Sequence, residues 1–490
     1  MNFRAGCACY NQGMERKAKI VATLGPASQE EAVIEQLLRA GMNVARLNFS
    51  HGTHAEHAAL ASRLRAVSKR LDLPLAILQD LQGPKIRVGA LESPLTLTVG
   101  QTVVLFREGE EPKRKDGACW IPVDFPELFG SVSTGNHILL DDGRLALLVI
   151  KADLKTVTAK VQTGGVLSSH KGINLPGVTL DIPSFTAKDA VDLAFGLAQQ
   201  VDLVATSFVR TAAHVQMAKD AIRCSKPPIC PLLIAKLERP EALDNLEAIL
   251  DVADGVMVAR GDMGVEMAPE DVPGAQKRII QTANRKGKLV ITATQMLESM
   301  IHNPLPTRAE ASDVANAVFD GTDAVMLSGE TAVGDYPVES VTLMDRIVRQ
   351  AEVDFDKWGH AQVMESGDEH DDAVALATAA RELAHDRDVA AIAVFTRTGR
   401  SGIFMSKARP NVPILAFTPE ESTYRRLALV WGVTPYIVPF ADTVEAMIGH
   451  VEAALKASGT VQPGQQVVLV AGYPLKEIRP PNMAFLHTVK

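Results

Sequence analysis

Leu232-Leu233-Ile234-Ala235-Lys236-Leu237-Glu238 and, further on, Val256-Met257-Val258-Ala259-Arg260-Gly261-Asp262-Met263-Gly264 set two apolar runs against two clusters of charge. Continuous apolar runs bounded by polar residues mark strands buried on both faces. Each charged cluster therefore falls at the C-terminal end of a strand. A side-chain period of two puts Lys236 and Glu238 on one face, and likewise pairs Arg260 with Asp262. Between the runs, residues 240–253 carry Leu243, Leu246, Ile249, Leu250 and Ala253 at helical spacing, which predicts the crossover that a parallel strand pair requires. The unit reads as β-α-β with two carboxylates and two cations at its top, the outline of a metal-and-phosphate site.

Outward from this unit the pattern repeats. Strands are predicted at 19–24, 43–48, 75–80, 201–207, 231–236, 255–259, 288–294 and 323–328, with helices over 30–40, 54–70 and 187–199. Gly41, free to take positive φ, suits the C-cap of the first helix. The alternation breaks at Gly83-Pro84, and residues 88–184 read as many short β-type runs with turns such as Asp141-Asp142-Gly143. Polar groups end all eight main strands: Thr23, Arg46 with Asn48, Asp80, Ser207, Lys236 with Glu238, Arg260 with Asp262, Thr294, and Ser328 with Glu330. A closed (β/α)8 barrel gathers such groups on one face, whereas a doubly wound sheet concentrates them at a switch point. The predicted fold class is therefore α/β: a TIM barrel with an inserted small β-barrel domain and a C-terminal α/β domain.

The expected organisation is an N-terminal tail (1–16), a barrel (17–87 and 185–352), an inserted lid (88–184), a polar linker (353–372) and an α/β domain (373–490) with strands near 391–396, 413–417, 435–438 and 466–471. A chain of 490 residues, 47% hydrophobic, has ample core for this division. A net charge of −8 argues against nucleic acid or an anionic membrane as partner. The five cysteines (Cys7, Cys9, Cys119, Cys224, Cys230) include no Cys-x-x-Cys pair, so neither a disulfide framework nor a zinc site is indicated and a cytoplasmic location is expected. No apolar run suits a signal peptide or a membrane span. Cys7 and Cys9 read as an idle tail, and no internal repeat is evident.

Glu238 and Asp262 are hard oxygen donors of the kind that hold Mg²⁺, with Mn²⁺ as a substitute, alongside substrate oxygens and waters. Lys236 adds a point charge, and the planar fork of Arg46 suits a phosphoryl group. A metal, a lysine and an arginine together supply what phosphoryl transfer needs: charge neutralised on the equatorial oxygens and reactants held in line. Gly261 leaves backbone N–H groups open to an anion.

Seven strings in order carry a resemblance to the pyruvate kinase family over nearly the whole chain: VARLNFSHG (44–52), GPKIR (83–87), KGINLPG (171–177), IAKLE (234–238), VARGDMG (258–264), ATQMLESM (293–300) and PTRAEASDVAN (306–316). The resemblance implies phosphoryl transfer from phosphoenolpyruvate to ADP, giving ATP and an enolate that is protonated to pyruvate, the last step of glycolysis. It implies Mg²⁺ on Glu238 and Asp262, and a phosphoryl group met by Lys236 and Arg46. Gly261, Asp262 and Thr294 would take the substrate carboxylate, Thr294 would join the network that protonates the enolate, and Ser207 is a further substrate-side position. Asn48, Ser50, His51, Arg87 and Lys171 match nucleotide-side positions, with Lys171 brought over the phosphates by closure of the inserted domain.

One departure concerns K⁺, which many members bind at positions matching Asn48, Ser50, Asp80 and Leu81. Where those members carry a glutamate after Gly83-Pro84, this chain has Lys85, so activity without K⁺ is expected. In the third domain, Thr396-Arg397-Thr398-Gly399-Arg400-Ser401 follows a strand and opens a helix, a setting that suits a phosphate. The resemblance places a sugar-phosphate effector there. Residues 472–481 lack the small Gly/Ser/Thr run of members responsive to fructose 1,6-bisphosphate, so a monophosphate such as ribose 5-phosphate or glucose 6-phosphate is expected. A homotetramer, with Arg308, Glu310 and Asp313 at a subunit contact, is also implied. Two rival readings are a Mg²⁺-dependent aldolase or lyase of 2-oxo acids, opposed by the two additional domains, and a catalytically dead sugar-phosphate sensor. The latter predicts loss of Lys236, Glu238 or Asp262, and all three are present.

Overall fold

The computed structural model describes residues 16–110, 119–178, 182–360, 364 and 372–490. The expectations for Cys7, Cys9 and the rest of the tail before Arg16, and for the acidic part of the linker at 366–371, lie outside the described residues. Eight parallel strands close into a barrel: Lys19–Thr23, Val44–Asn48, Ala76–Asp80, Leu203–Thr206, Leu232–Leu237, Gly255–Ala259, Leu289–Ala293 and Ala324–Leu327. Alternation along each strand sorts its side chains between two cores. Ile20, Ala22, Leu47 and Ile77 pack under the surrounding helices, while Val21, Val44, Leu78, Ala205, Met257 and Met326 fill the interior. Gly41 caps the helix Glu31–Ala40 at φ 115°, as its position after the last apolar residue predicts.

Two local expectations are corrected. The sixth strand stops at Ala259, and Arg260–Glu266 is already helical, so Arg260 and Asp262 are not related by a strand's period of two. Asp262 instead occupies the first turn of that helix, where the positive end of the dipole favours a carboxylate. The crossover after Pro240 divides into Glu241–Asp244 and Leu246–Val252. At the break, Asn245 donates its side-chain amide to Arg210 O at 3.0 Å and Glu241 O at 2.9 Å, the kind of local side-chain bond that competes with helix continuation.

The inserted domain is a half-barrel rather than a closed one, with a six-stranded sheet and a separate two-stranded ribbon. Its hairpin from His137–Leu140 to Leu145–Ala152 turns through Asp141, Asp142 and Gly143, all at positive φ. The third domain has a five-stranded sheet in the order Val433–Ile437, Ile414–Thr418, Ala391–Phe395, Gln466–Ala471, Met483–Thr488. Its last strand pairs antiparallel with Gln466–Ala471 and lacked a clear sequence signal, being partly exposed throughout and preceded by Pro480-Pro481. The segment read as a polar linker begins with one helical turn, Phe355–Trp358, packed on the end of Pro337–Val353. Among the described residues, no helix is long and apolar enough to cross a membrane.

The N-terminal mouth of the barrel is plugged by the third domain. Leu427, Ala428, Leu429 and Val430 join the barrel-interior core, and buried charge fixes the junction. Asp202, Asp254 and Asp323 each stand just before a barrel strand and accept the backbone N–H of a neighbouring strand or strand start: Ile77 at 2.8 Å, Leu233 at 2.9 Å and Val290 at 2.8 Å. Two of them also receive cations from the third domain. Asp202 pairs with Arg425 at 2.8 Å, and Asp323 pairs with Lys407 at 2.5 Å and Arg409 at 2.9 Å. Burial pushes the Lys407 ammonium down to about 8 against the pull of Asp323. Asp323→Asn keeps the shape but leaves buried Lys407 without a counter-charge and Arg409 with Glu352 alone, so it should lower unfolding free energy by about 3–5 kcal/mol. Adding Lys407→Met should recover part of that loss, as urea unfolding of the three proteins will show.

Candidate active site

At the opposite mouth, Lys236 is the hub. Its ammonium lies 2.8 Å from Glu238 Oε1 and 3.4 Å from Asp80 Oδ1, and donates to Ser207 Oγ at 2.8 Å. The Ser207 hydroxyl in turn donates to Leu81 O at 2.7 Å. Arg46 Nε pairs with Asp80 Oδ2 at 2.7 Å, and Arg46 Nη1 donates to Thr23 Oγ1 at 3.0 Å. Two cations and two carboxylates from three strand ends thus interlock where water is largely excluded. Burial alone would raise the Asp80 carboxyl, but Lys236 and Arg46 outweigh it and hold it below the usual carboxylate range. Burial alone would lower Lys236; Asp80 and Glu238 reverse this and keep it a cation. Burial raises Glu238, and Asp262 adds to that rise while Lys236 opposes it.

Glu238 Oε2 also accepts the backbone N–H of Phe208 at 2.6 Å. Phe208 lies at φ 54°, and Gly83, at φ 68°, is packed so closely that a Cβ there would come within 2.9 Å of the Phe208 ring. Phe208 escaped the sequence reading because its contribution is a main-chain group in a strained turn, which composition does not reveal.

Asp262 faces the same cleft as Glu238, and its carboxylate takes no hydrogen bond or ion pair from the described residues. A pair of carboxylates, with no group of three or more His, Cys, Asp or Glu beside them among the described residues, fits Mg²⁺, which leaves much of its octahedron to substrate and water. Gly261 N donates to Thr294 Oγ1 at 2.7 Å, and the Thr294 hydroxyl donates to Ala293 O at 2.6 Å. Thr294 is held at φ 67°. Arg260 turns away from the cleft: Nη1 pairs with Asp313 at 2.6 Å and Nη2 donates to Thr294 O at 2.7 Å. It braces the Gly261 turn.

The cleft, of about 660 Å³, is walled on one side by barrel residues and on the other by the inserted domain. Arg46, Asn48, Ser50, His51, Lys85, Arg87 and Lys171 all line it with Lys236, Glu238 and Asp262. Asn48 Oδ1 accepts Ser50 N at 3.1 Å, Arg87 donates to His170 O at 3.0 Å, and Lys171 pairs with Asp141 at 2.8 Å. Burial and the charges of Arg87, Lys85 and Arg46 push the His51 imidazole below its ordinary value. Asp141 and Asp142, visible in the sequence only as a turn, reach the cleft as acidic members of the lining. Asp80, Leu81, Ser207, Gly261 and Thr294 are not among the residues that line it; Asp80 and Ser207 reach it through their bonds to Arg46 and Lys236.

The third-domain loop lies far along the chain from this cleft and forms a separate pocket. Thr396, Arg397, Thr398 and Ser401 line it together with Gly472, Glu477 and Arg479. Thr396 Oγ1 accepts Gly399 N at 3.0 Å, and the helix Arg400–Lys407 follows.

A barrel mouth carrying a paired carboxylate site beside a buried lysine and arginine, under a second domain that supplies more cations, defines a phosphotransferase of the (β/α)8 class. Comparison with known proteins makes this specific. Residues 15–341 match the family profile described as "Pyruvate kinase, barrel domain", and residues 374–487 match "Pyruvate kinase, alpha/beta domain". The chain is 44% identical over 459 residues to a pyruvate kinase of Agrobacterium vitis, spanning 94% of this chain and 95% of that protein. It is 43% identical over 485 residues to one of Geobacillus stearothermophilus, spanning 97% of this chain and 81% of that protein. A crystal structure of a pyruvate kinase from Cryptosporidium parvum superposes with a TM-score of 0.88 at 34% identity, covering 97% and 96% of the two chains. The chain belongs to the pyruvate kinase family and carries that family's phosphotransferase activity.

Proposed function

We propose that phosphoenolpyruvate and ADP meet in this cleft with Mg²⁺, or Mn²⁺ in its place, on Glu238 and Asp262. When bound, the ion supplies positive charge shared between substrate oxygens and the two carboxylates. Lys236, kept protonated by Asp80 and Glu238, neutralises the phosphoryl group in flight, and Ser207 fixes the ammonium's direction. Arg46, immobilised by Asp80 and Thr23, grips the same group. The Gly261 and Asp262 N–H groups, at the start of a helix, and the Thr294 hydroxyl take the substrate carboxylate. Substrate must displace the Gly261-to-Thr294 bond to do so, which leaves the Thr294 hydroxyl in the path that protonates the enolate. Asn48, Ser50, His51, Arg87 and Lys171 receive the nucleotide, and closure of the inserted domain excludes water.

The observation that carries this reading is the contact of Lys236 with Glu238 in a cleft shared with Arg46 and Asp262. Pyruvate formation from phosphoenolpyruvate and ADP should vanish on chelation and return with Mg²⁺. Glu238→Gln should lower it by about 10³-fold or more. Turnover that survives both treatments contradicts the assignment, and pyruvate formation itself separates this enzyme from an aldolase and from a sensor.

Lys85 shares the cleft with His51 and approaches Gly172, and Asp80 is already flanked by Arg46 and Lys236. The charge that a monovalent ion would bring is thus built in, and the enzyme works without K⁺. Rates with Na⁺ or tetramethylammonium as sole monovalent cation should match those with K⁺, whereas Lys85→Glu should make the rate K⁺-dependent. A steep fall of the unaltered enzyme without K⁺ counts against this.

The third-domain pocket takes a sugar monophosphate that activates the enzyme. Thr396, Thr398 and Ser401 offer hydroxyls, and Arg397 and Arg479 offer charge. Glu477 in the same wall disfavours a second phosphate. Ribose 5-phosphate or glucose 6-phosphate should lower the half-saturating phosphoenolpyruvate concentration, and Thr398→Ala/Ser401→Ala should abolish that response. Exclusive activation by fructose 1,6-bisphosphate refutes the choice. The same reading extends to a cytoplasmic homotetramer, with Arg308, Glu310 and Asp313 at one contact.

A further inference from the structure

Two buried charged residues beneath the cleft have no part in the chemistry above. Arg239 follows Glu238 directly, and Glu266 stands one helical turn after Asp262. Their side chains meet at 3.1 Å, Arg239 Nη2 to Glu266 Oε2, and are only 8% and 3% exposed. The two segments that present Glu238 and Asp262 to the cleft are therefore tied together a second time, away from it.

The remaining polar atoms of the pair reach into the inserted domain. Glu266 Oε1 accepts the side-chain amide of Asn174 at 3.0 Å. Arg239 Nη2 also donates to Val178 O at 3.2 Å and Leu175 O at 3.4 Å, while its Nε faces Glu241 at 3.6 Å. Asn174 ends the strand Ile173–Asn174 that pairs with His137–Leu140, and Leu175 and Val178 belong to the inserted domain's core. Asn174, Leu175, Arg239, Glu266 and Asp262 line one small cavity between the two domains.

We propose that Arg239 and Glu266 are positioning residues: their ion pair sets the spacing of Glu238 and Asp262 and makes that spacing depend on where the inserted domain lies. The inference rests on those two carboxylates being the metal ligands. Asp262 has no side-chain partner among the described residues, so its position is governed by the helix that carries it, and Glu266 anchors the far end of that helix. Mg²⁺ demands near-ideal octahedral geometry, so a small error in carboxylate spacing weakens binding. Movement of Asn174, Leu175 and Val178 with the inserted domain pulls directly on the pair, coupling domain closure to the metal site.

The test is Mn²⁺ affinity of the substrate-free enzyme, read by electron paramagnetic resonance, with thermal midpoints measured alongside. Glu266→Gln keeps an acceptor for Asn174 and removes only the ion pair; it should weaken Mn²⁺ binding about tenfold. Arg239→Lys, which keeps the charge but loses the fork, should give an intermediate loss. Arg239→Met should match Glu266→Gln and also accelerate amide exchange across residues 173–178. Unchanged Mn²⁺ affinity in Glu266→Gln and Arg239→Met, even with a lowered thermal midpoint, overturns the proposal and leaves the metal reading intact. Unchanged affinity in Glu238→Gln and Asp262→Asn overturns the metal reading itself, and the proposal with it.

Discussion

Four charges, Arg46 and Lys236 against Asp80 and Glu238, are held in the C-terminal mouth of the barrel with almost no access to water. Each would be costly there alone, because an unpaired buried ion loses its hydration with nothing in exchange. Together they neutralise one another, and the geometry that achieves this points the lysine, the arginine and one carboxylate into a single cleft. The barrel is what makes the arrangement possible. Closure brings the ends of strands distant in sequence within hydrogen-bonding reach, and helices outside the barrel leave its mouth free.

The same principle holds at the other mouth, with a different outcome. Asp202 and Asp323 bind backbone N–H groups of the barrel and cations of the third domain at once, so the domain is fastened to the strand starts rather than merely packed against them. The helix that begins beside the effector-type loop ends at Lys407, which is buried against Asp323. One helix therefore runs from that loop to the base of the eighth strand. The inserted domain meets the barrel through polar contacts of Asn174, Leu175 and Val178 with Arg239 and Glu266, and of Ile182 with Arg210.

Much of this was legible in the sequence. Runs such as 255–259 and 288–294 are apolar throughout because both faces of a barrel strand are buried, and Arg46, Lys236 and Glu238 stood out because charge rarely follows such a run by chance on several strands. What stayed hidden was geometry set by tertiary contacts. Arg260-Gly261-Asp262 continues a strand in composition, yet the chain turns at once into a helix, with Arg260 drawn aside by Asp313. Glu266 and Arg239 look like surface charges until the return path of the inserted domain is laid over them. The strand Met483–Thr488 was obscured by partial exposure and by the prolines before it.

The proposed division of labour gives the phosphoryl group to Lys236 and the enolate to Thr294, two ends of one substrate. It is tested most directly in Lys236→Met by measuring, in the same preparation, pyruvate formation from phosphoenolpyruvate and exchange of pyruvate methyl protons with solvent in the presence of Mg²⁺ and inorganic phosphate. Loss of the lysine should lower phosphoryl transfer by roughly 10³-fold or more, while proton exchange persists within about tenfold, since tenfold corresponds to only 1.36 kcal/mol of barrier. Equal loss of both activities, or retention of phosphoryl transfer, would contradict the division of roles.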